Sequence, residues 1–130
     1  MKTKLTLITI LFAFLMFSCI ETDDNQSPLP EEAICNTENP LEDLSWLKKI
    51  KTTFETREIC MGAQIISYDY FGEDVFWIDG CYNCPDNMIS IYNCSGEIIC
   101  EIGGISGQNN CPDFFEIAKD STMLFNSVQD

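Results

Sequence analysis

Gln64-Ile65-Ile66-Ser67-Tyr68-Asp69-Tyr70-Phe71-Gly72-Glu73-Asp74-Val75-Phe76-Trp77-Ile78 is the stretch that decides the fold. Gln64, Ile66, Tyr68 and Tyr70 alternate with Ala63, Ile65, Ser67 and Asp69, the period of a strand whose side chains point to opposite faces. Phe71-Gly72-Glu73-Asp74 reads as a turn, and Val75-Phe76-Trp77-Ile78 is rich in strand-forming residues. The two runs predict a hairpin. If Phe71 faces Asp74, Cys60 lands near the level of Cys81 or Cys84, so a bridge from strand 1 to the loop after strand 2 is geometrically plausible.

Downstream, Met88 to Asn93 and Glu97 to Ile102 flank Cys94-Ser95-Gly96 and predict a second hairpin. Gly103, Gly104, Gly107 and the asparagines after them are loop, best explained as closed by a Cys100 to Cys111 bridge. Asp113 to Lys119 predicts a short final helix. Upstream, Asn39-Pro40-Leu41-Glu42 is a helix start: a capping side chain, proline at the first helical position and a carboxylate in the first turn. Leu44, Leu47, Ile50 and Phe54 then recur at helical spacing, so one face is buried. Lys48, Lys49, Lys51 and Arg57 cluster toward the far end, where the helix dipole favours positive charge. The expected class is therefore α+β: an N-terminal helix packed on a four-stranded antiparallel meander, cystatin-like in outline and stapled by disulfides.

Before the helix, Lys2 and Lys4 precede an apolar run from Leu5 to Phe17, the layout of a secretory signal. That run is shorter than the roughly 20 apolar residues of a membrane-spanning helix. Met16-Phe17-Ser18-Cys19 resembles the cleavage box of bacterial lipoproteins, with Ser18 as the small residue before the acylated cysteine. The expectation is a signal over residues 1–18, a lipidated Cys19 and an acidic, proline-containing disordered tether over 19–34. The alternative is an ordinary signal with Cys19 as one more disulfide partner. Glu21-Thr22-Asp23-Asp24 resembles the export signal of surface-exposed lipoproteins and reads equally well as a solvated spacer. The site expected for the protein is thus the outer membrane, facing the periplasm or the cell surface.

Residues 35–130 form one domain holding Cys35, Cys60, Cys81, Cys84, Cys94, Cys100 and Cys111, disulfide candidates in an exported, oxidising location. Seven is odd, so at least one thiol is free or pairs outside the chain. The whole chain has 7 basic and 21 acidic residues, a net charge of −14; without Lys2 and Lys4 it is −16. Such a charge argues against nucleic acid and anionic lipid headgroups as partners and permits a basic protein, a cation or simply solubility, a solvated surface being the first explanation.

There is no histidine. Ser-His-Asp and Cys-His catalysis, the zinc-protease helix and haem attachment at Cys81-Tyr82-Asn83-Cys84 are excluded together. A redox pair at Cys81 and Cys84 would want a helix N-terminus, and an all-cysteine zinc site would need Cys94 and Cys100 to converge with them. Gly103-Gly104-Ile105-Ser106-Gly107 lacks the lysine and spacing of a phosphate loop. Glu97, Glu101, Asp113 and Glu116 would bind calcium only if the loop folded inward.

Asn39-Pro40-Leu41-Glu42-Asp43-Leu44, Trp46-Leu47, Tyr68, Tyr70, Gly72, Val75-Phe76, Ile91-Tyr92, Cys94, Gly96, Ile99-Cys100, Gly103-Gly104, Gly107 and Cys111-Pro112-Asp113-Phe114 together resemble a family of small Gram-negative lipoproteins of uncharacterised function. Asn93 stands where that pattern has an aspartate. The resemblance implies an outer-membrane lipoprotein and brings no catalytic residue or cofactor. The expected function is a membrane-anchored, non-enzymatic binding module with a protein partner, no cofactor and no metal. Its sign would be an exposed aromatic patch around Trp77, Tyr82 or Phe114. The alternative is a thiol-redox or metal-binding protein centred on Cys81 and Cys84.

Overall fold

A computed structural model describes residues 33–57 and 62–128. The expected signal, Cys19, most of the expected tether and Cys60 lie outside the described residues. The chain runs through α1 (Pro40–Asp43), α2 (Ser45–Thr56), β1 (Gln64–Tyr70), β2 (Glu73–Asp79), β3 (Met88–Asn93), β4 (Ile98–Gly103), β5 (Gln108–Asn109), α3 (Phe114–Ile117) and β6 (Lys119–Asn126). The strands form one antiparallel sheet in the order β5-β4-β3-β2-β1-β6. The expected α+β layout holds in outline, with six strands in place of four. The two additions are the short β5 and the edge strand β6, which occupies the stretch just after the expected final helix. That helix is one turn, Phe114–Ile117.

The first hairpin forms as expected, with its two-residue loop one position earlier in the chain. Tyr70 pairs with Glu73, and Asp69 with Asp74, leaving Phe71 and Gly72 as a two-residue loop. Both have positive φ, 57° and 81°, the pattern of a type I′ turn that matches the twist of the flanking strands. Gly72 takes this conformation freely, whereas for phenylalanine it costs roughly 1–2 kcal/mol. Relative to the expected register the pairing slips by two residues, so every side chain keeps its face.

Each face of the sheet carries its own core. On one side Ile65, Phe76 and Ile78 meet Leu47, with Leu41, Leu44, Ile50 and Phe54 around them. The expected helical spacing is thus borne out, but the helix is broken. Leu44 is extended, with φ −84° and ψ 101°, closing α1 and opening α2. Asn39 does not cap through its side chain; its carbonyl accepts the Glu42 and Asp43 amides instead. The lysines also act differently from the dipole expectation. Lys48 and Lys51 reach back to Glu42, at 2.8 and 3.1 Å, and no basic residue sits in the last turn of α2.

Trp46 ties α2 to the second hairpin. Its indole N–H donates to the Cys94 carbonyl at 3.1 Å, and its ring stacks on Tyr92 and meets Phe76 edge-on. Gly96 makes room for it: a Cβ there would lie 2.7 Å from the indole, in a backbone with φ +81°. At the same turn Cys94 is bridged to Cys35, their Cα atoms 5.6 Å apart.

On the opposite face Val75, Ile91, Cys100, Cys111 and Phe114 form the second core. The expected Cys100–Cys111 bridge is present and folds the C-terminal segment back under the sheet. Phe114 is thereby pressed into the face lined by Tyr68, Tyr70 and Trp77. Full burial of such a ring contributes about 1.5–3 kcal/mol.

Candidate functional site

Aromatic rings run from the tip of the first hairpin across the face away from α2. Phe71 meets Tyr70 at 4.6 Å between ring centres, Tyr70 meets Phe114 at 5.1 Å, Phe114 meets Phe115 at 5.6 Å, and Phe115 meets Trp77 at 5.3 Å. These separations are those of offset and edge-to-face pairs. Phe114, expected at the surface, is fully buried and acts as the plug. Its neighbour Phe115 is instead 68% exposed, because consecutive residues in one helical turn cannot share a face. Phe71 is also 68% exposed, Trp77 is half-buried, and Tyr82 is half-buried in the loop after β2. The ridge therefore has two exposed ends joined by buried or half-buried rings.

The tyrosines of the ridge are fixed. The Tyr70 hydroxyl donates to Asp113 at 3.1 Å. Its phenol is held above the ordinary tyrosine range, first by burial and then by that carboxylate. Burial alone raises Tyr68. Both rings stay neutral and apolar through the physiological range.

At the hairpin end the rings border a groove of about 450 Å³. Tyr70, Phe71 and Ile99 line it together with Glu73, Asp74 and Asn93. Asp74 is anchored, because its Oδ2 accepts the Cys35 amide at 2.6 Å. A second cavity of about 480 Å³ lies beside the β1–β6 seam, bordered by Asp69, Asp74 and Asp120. Asp69 already accepts the Gly72 amide there.

The six described cysteines are paired. Cys81 lies at bonding distance from Cys84, which displaces the expected bridge from either of them to Cys60. The turn explains this. The Cys84 amide donates to the Cys81 carbonyl and Asn83 takes a φ of 61°, bringing the two Cα atoms to 5.4 Å. The pair sits between two antiparallel strands, away from any helix N-terminus. The buried carboxylate of Asp79 accepts the Cys81 amide at 3.0 Å and the Asn87 side chain at 2.7 Å. A neighbouring carboxylate disfavours a thiolate, the opposite of what a reactive cysteine needs.

The expected zinc alternative does not assemble, since Cys94 and Cys100 are each committed to a different partner. Among the described residues Cys35, Asp74 and Cys94 cluster closely, but both sulfurs are consumed in one bridge. The carboxylates weighed for calcium are dispersed: Glu97 is held by Asn93, Glu101 by Gln108 and Asp113 by Tyr70. Sequence reasoning singled out Trp77 and missed Phe71 and Phe115. A phenylalanine at the first position of a two-residue hairpin loop, where asparagine or aspartate is usual, was the available signal for Phe71.

No curated protein and no solved structure matches this chain. Residues 51–127, which contain the six described strands, the aromatic ridge and two of the three described bridges, match the family described as a domain of unknown function (DUF6970), and the chain belongs to that family.

Proposed function

We propose that this protein is an exported lipoprotein, held to the outer membrane by an acylated Cys19 and facing the periplasm or the cell surface, whose domain is a non-enzymatic binding module. The observation that carries the binding reading is the ridge of rings ending in two exposed phenylalanines on the face opposite α2. Exposed apolar patches mark interaction surfaces in soluble domains, and aromatic side chains are enriched in protein interfaces. The basic start, apolar run and small residue before Cys19 support the anchor. The likeness to cystatin-type folds belongs to this reading too; it rests on layout alone and brings no partner with it.

The test uses the full chain in its host. Wild type is expected in the membrane fraction with a mature N-terminus carrying acyl chains by mass spectrometry, and Cys19→Ser in the soluble exported fraction. A photo-crosslinking phenylalanine analogue at position 115 is expected to yield a discrete adduct. The same analogue at Thr52, on the outer side of α2, is expected to yield none. An unacylated wild type would overturn the anchor, and equal cross-linking at both positions would overturn the binding face.

A second reading, thiol exchange at Cys81 and Cys84, is favoured by one observation: these sulfurs pair with each other and are half-exposed. The Asp79 carboxylate weighs against it. If the pair is structural, mild reduction followed by thiol alkylation leaves Cys81 and Cys84 no more labelled than Cys100 and Cys111. Selective labelling of the first pair would favour exchange.

A further inference from the structure

We infer that the groove at the tip of the first hairpin receives an arginine side chain presented by a basic protein partner. The inference rests on the reading of the domain as a binding module and names what the hairpin end of the ridge binds.

The groove has an aromatic wall and an acidic rim. Phe71 offers most of its ring to solvent, and Tyr70 lies against it with its hydroxyl tied to Asp113. Glu73, Asn93 and Ile99 line it beside them, and Asp74 borders it with its side chain turned to Cys35 on the α2 face of the sheet. Every charged residue lining the groove is a carboxylate. A guanidinium matches both parts at once: its plane stacks on an aromatic face while its N–H groups meet carboxylate oxygens. The compact, strongly hydrated lysine ammonium fits this less well, which selects arginine. Glu73, paired with Tyr70 across the turn, supplies the carboxylate on the face of the rings, and the Cys35–Cys94 bridge holds the floor near Cys94.

Charge complementarity extends beyond the groove. The chain carries a net charge of −14, which steers a basic partner toward it and repels another copy of itself. The chain's own Lys48 and Lys51 are engaged by Glu42 on the helix layer, across the sheet from Tyr70. The choice of residue at position 71 points the same way. Asparagine would sit in this turn without strain, yet the position holds a ring that the fold leaves uncovered.

The experiment titrates the full chain in detergent with tetra-arginine amide, with tetra-lysine amide as comparison, by calorimetry and by the ring proton shifts of Tyr70 and Phe71. Tetra-arginine is expected to bind with shifts confined to the groove, at least tenfold tighter than tetra-lysine, and to weaken as salt rises. Phe71→Asn is expected to lower affinity at least tenfold while raising the Tm, because it removes the ring and relieves the turn. Glu73→Gln is expected to lower affinity by a smaller factor, and Thr52→Ala, on the outer side of α2, to leave it unchanged. Binding of both peptides equally, or full affinity in Phe71→Asn, would reduce the effect to general acidity and overturn the inference. Absence of binding would overturn it as well. The cross-link at position 115 tests the binding module separately, so the two can fail independently.

Discussion

Replacing Cys35 and Cys94 together by alanine lowers the stability of the domain by about 4 kcal/mol, the largest loss expected from removing any of the three bridges seen. The bridge spans 59 residues, against 11 for Cys100–Cys111 and 3 for Cys81–Cys84. In the chain-entropy account a link stabilises by limiting the unfolded chain, and its effect grows with the logarithm of the loop. The corresponding double substitutions cost about 3 and about 2 kcal/mol. For a domain of this size the first loss corresponds to a fall in Tm of roughly 15–30 °C. Denaturant and thermal unfolding of the three double variants give the ranking directly. If removing Cys81 and Cys84 cost the most, loop length would not govern these links.

Phe114→Ala costs about 3–5 kcal/mol, the usual range for deleting a fully buried aromatic ring. Phe114 is wholly buried and touches Tyr68, Tyr70, Trp77 and Phe115, with ring centres 5.1–5.6 Å away. The cavity left behind cannot close easily, because Cys111 and Ala118 hold the backbone on either side. Phe115→Ala removes the same number of atoms from a largely exposed position and costs about 0.5 kcal/mol or less. Urea unfolding of the pair separates the two roles, and the emission of Trp77 reports the opening of the core in the first variant. Equal losses would show that the second core is not sealed by Phe114.

The parts of the fold legible in the sequence are those set by near neighbours. Leu44, Leu47, Ile50 and Phe54 announce a buried helical face, and all four pack against the sheet. The alternation from Ala63 to Tyr70 announces β1, and because the slip in register is two residues, Ile65 and Phe76 still share one face while Tyr68 and Val75 share the other. β6 was hidden for a physical reason. Lys119-Asp120-Ser121-Thr122 is polar and Met123-Leu124-Phe125 apolar, so the segment has two blocks where a half-buried strand would alternate. It is an edge strand paired only with β1, 50 to 62 residues earlier in the chain, and a bulge near Asp69 shifts its register. The Cys35–Cys94 link is equally non-local. Of the candidate site, Trp77 stood out as an aromatic in a strand. Which of Phe114 and Phe115 would face water depended on the one-turn helix that the Cys100–Cys111 bridge docks beneath the sheet.

The covalent tie between Cys35 and the tip of the β3–β4 hairpin also decides how the domain would bear load. Tension arriving from the N-terminal side passes through sulfur to Cys94, so α1, α2, β1 and β2 lie inside a closed ring and carry none of it. Among the described residues C-terminal to Cys94, the Cys100–Cys111 ring is shielded in the same way, which leaves β6 as the strand most easily drawn out. The aromatic wall contributed by Tyr70, Phe71 and Trp77 belongs to the shielded ring, so tension between the tether and the C-terminal segment bypasses the chain that carries it.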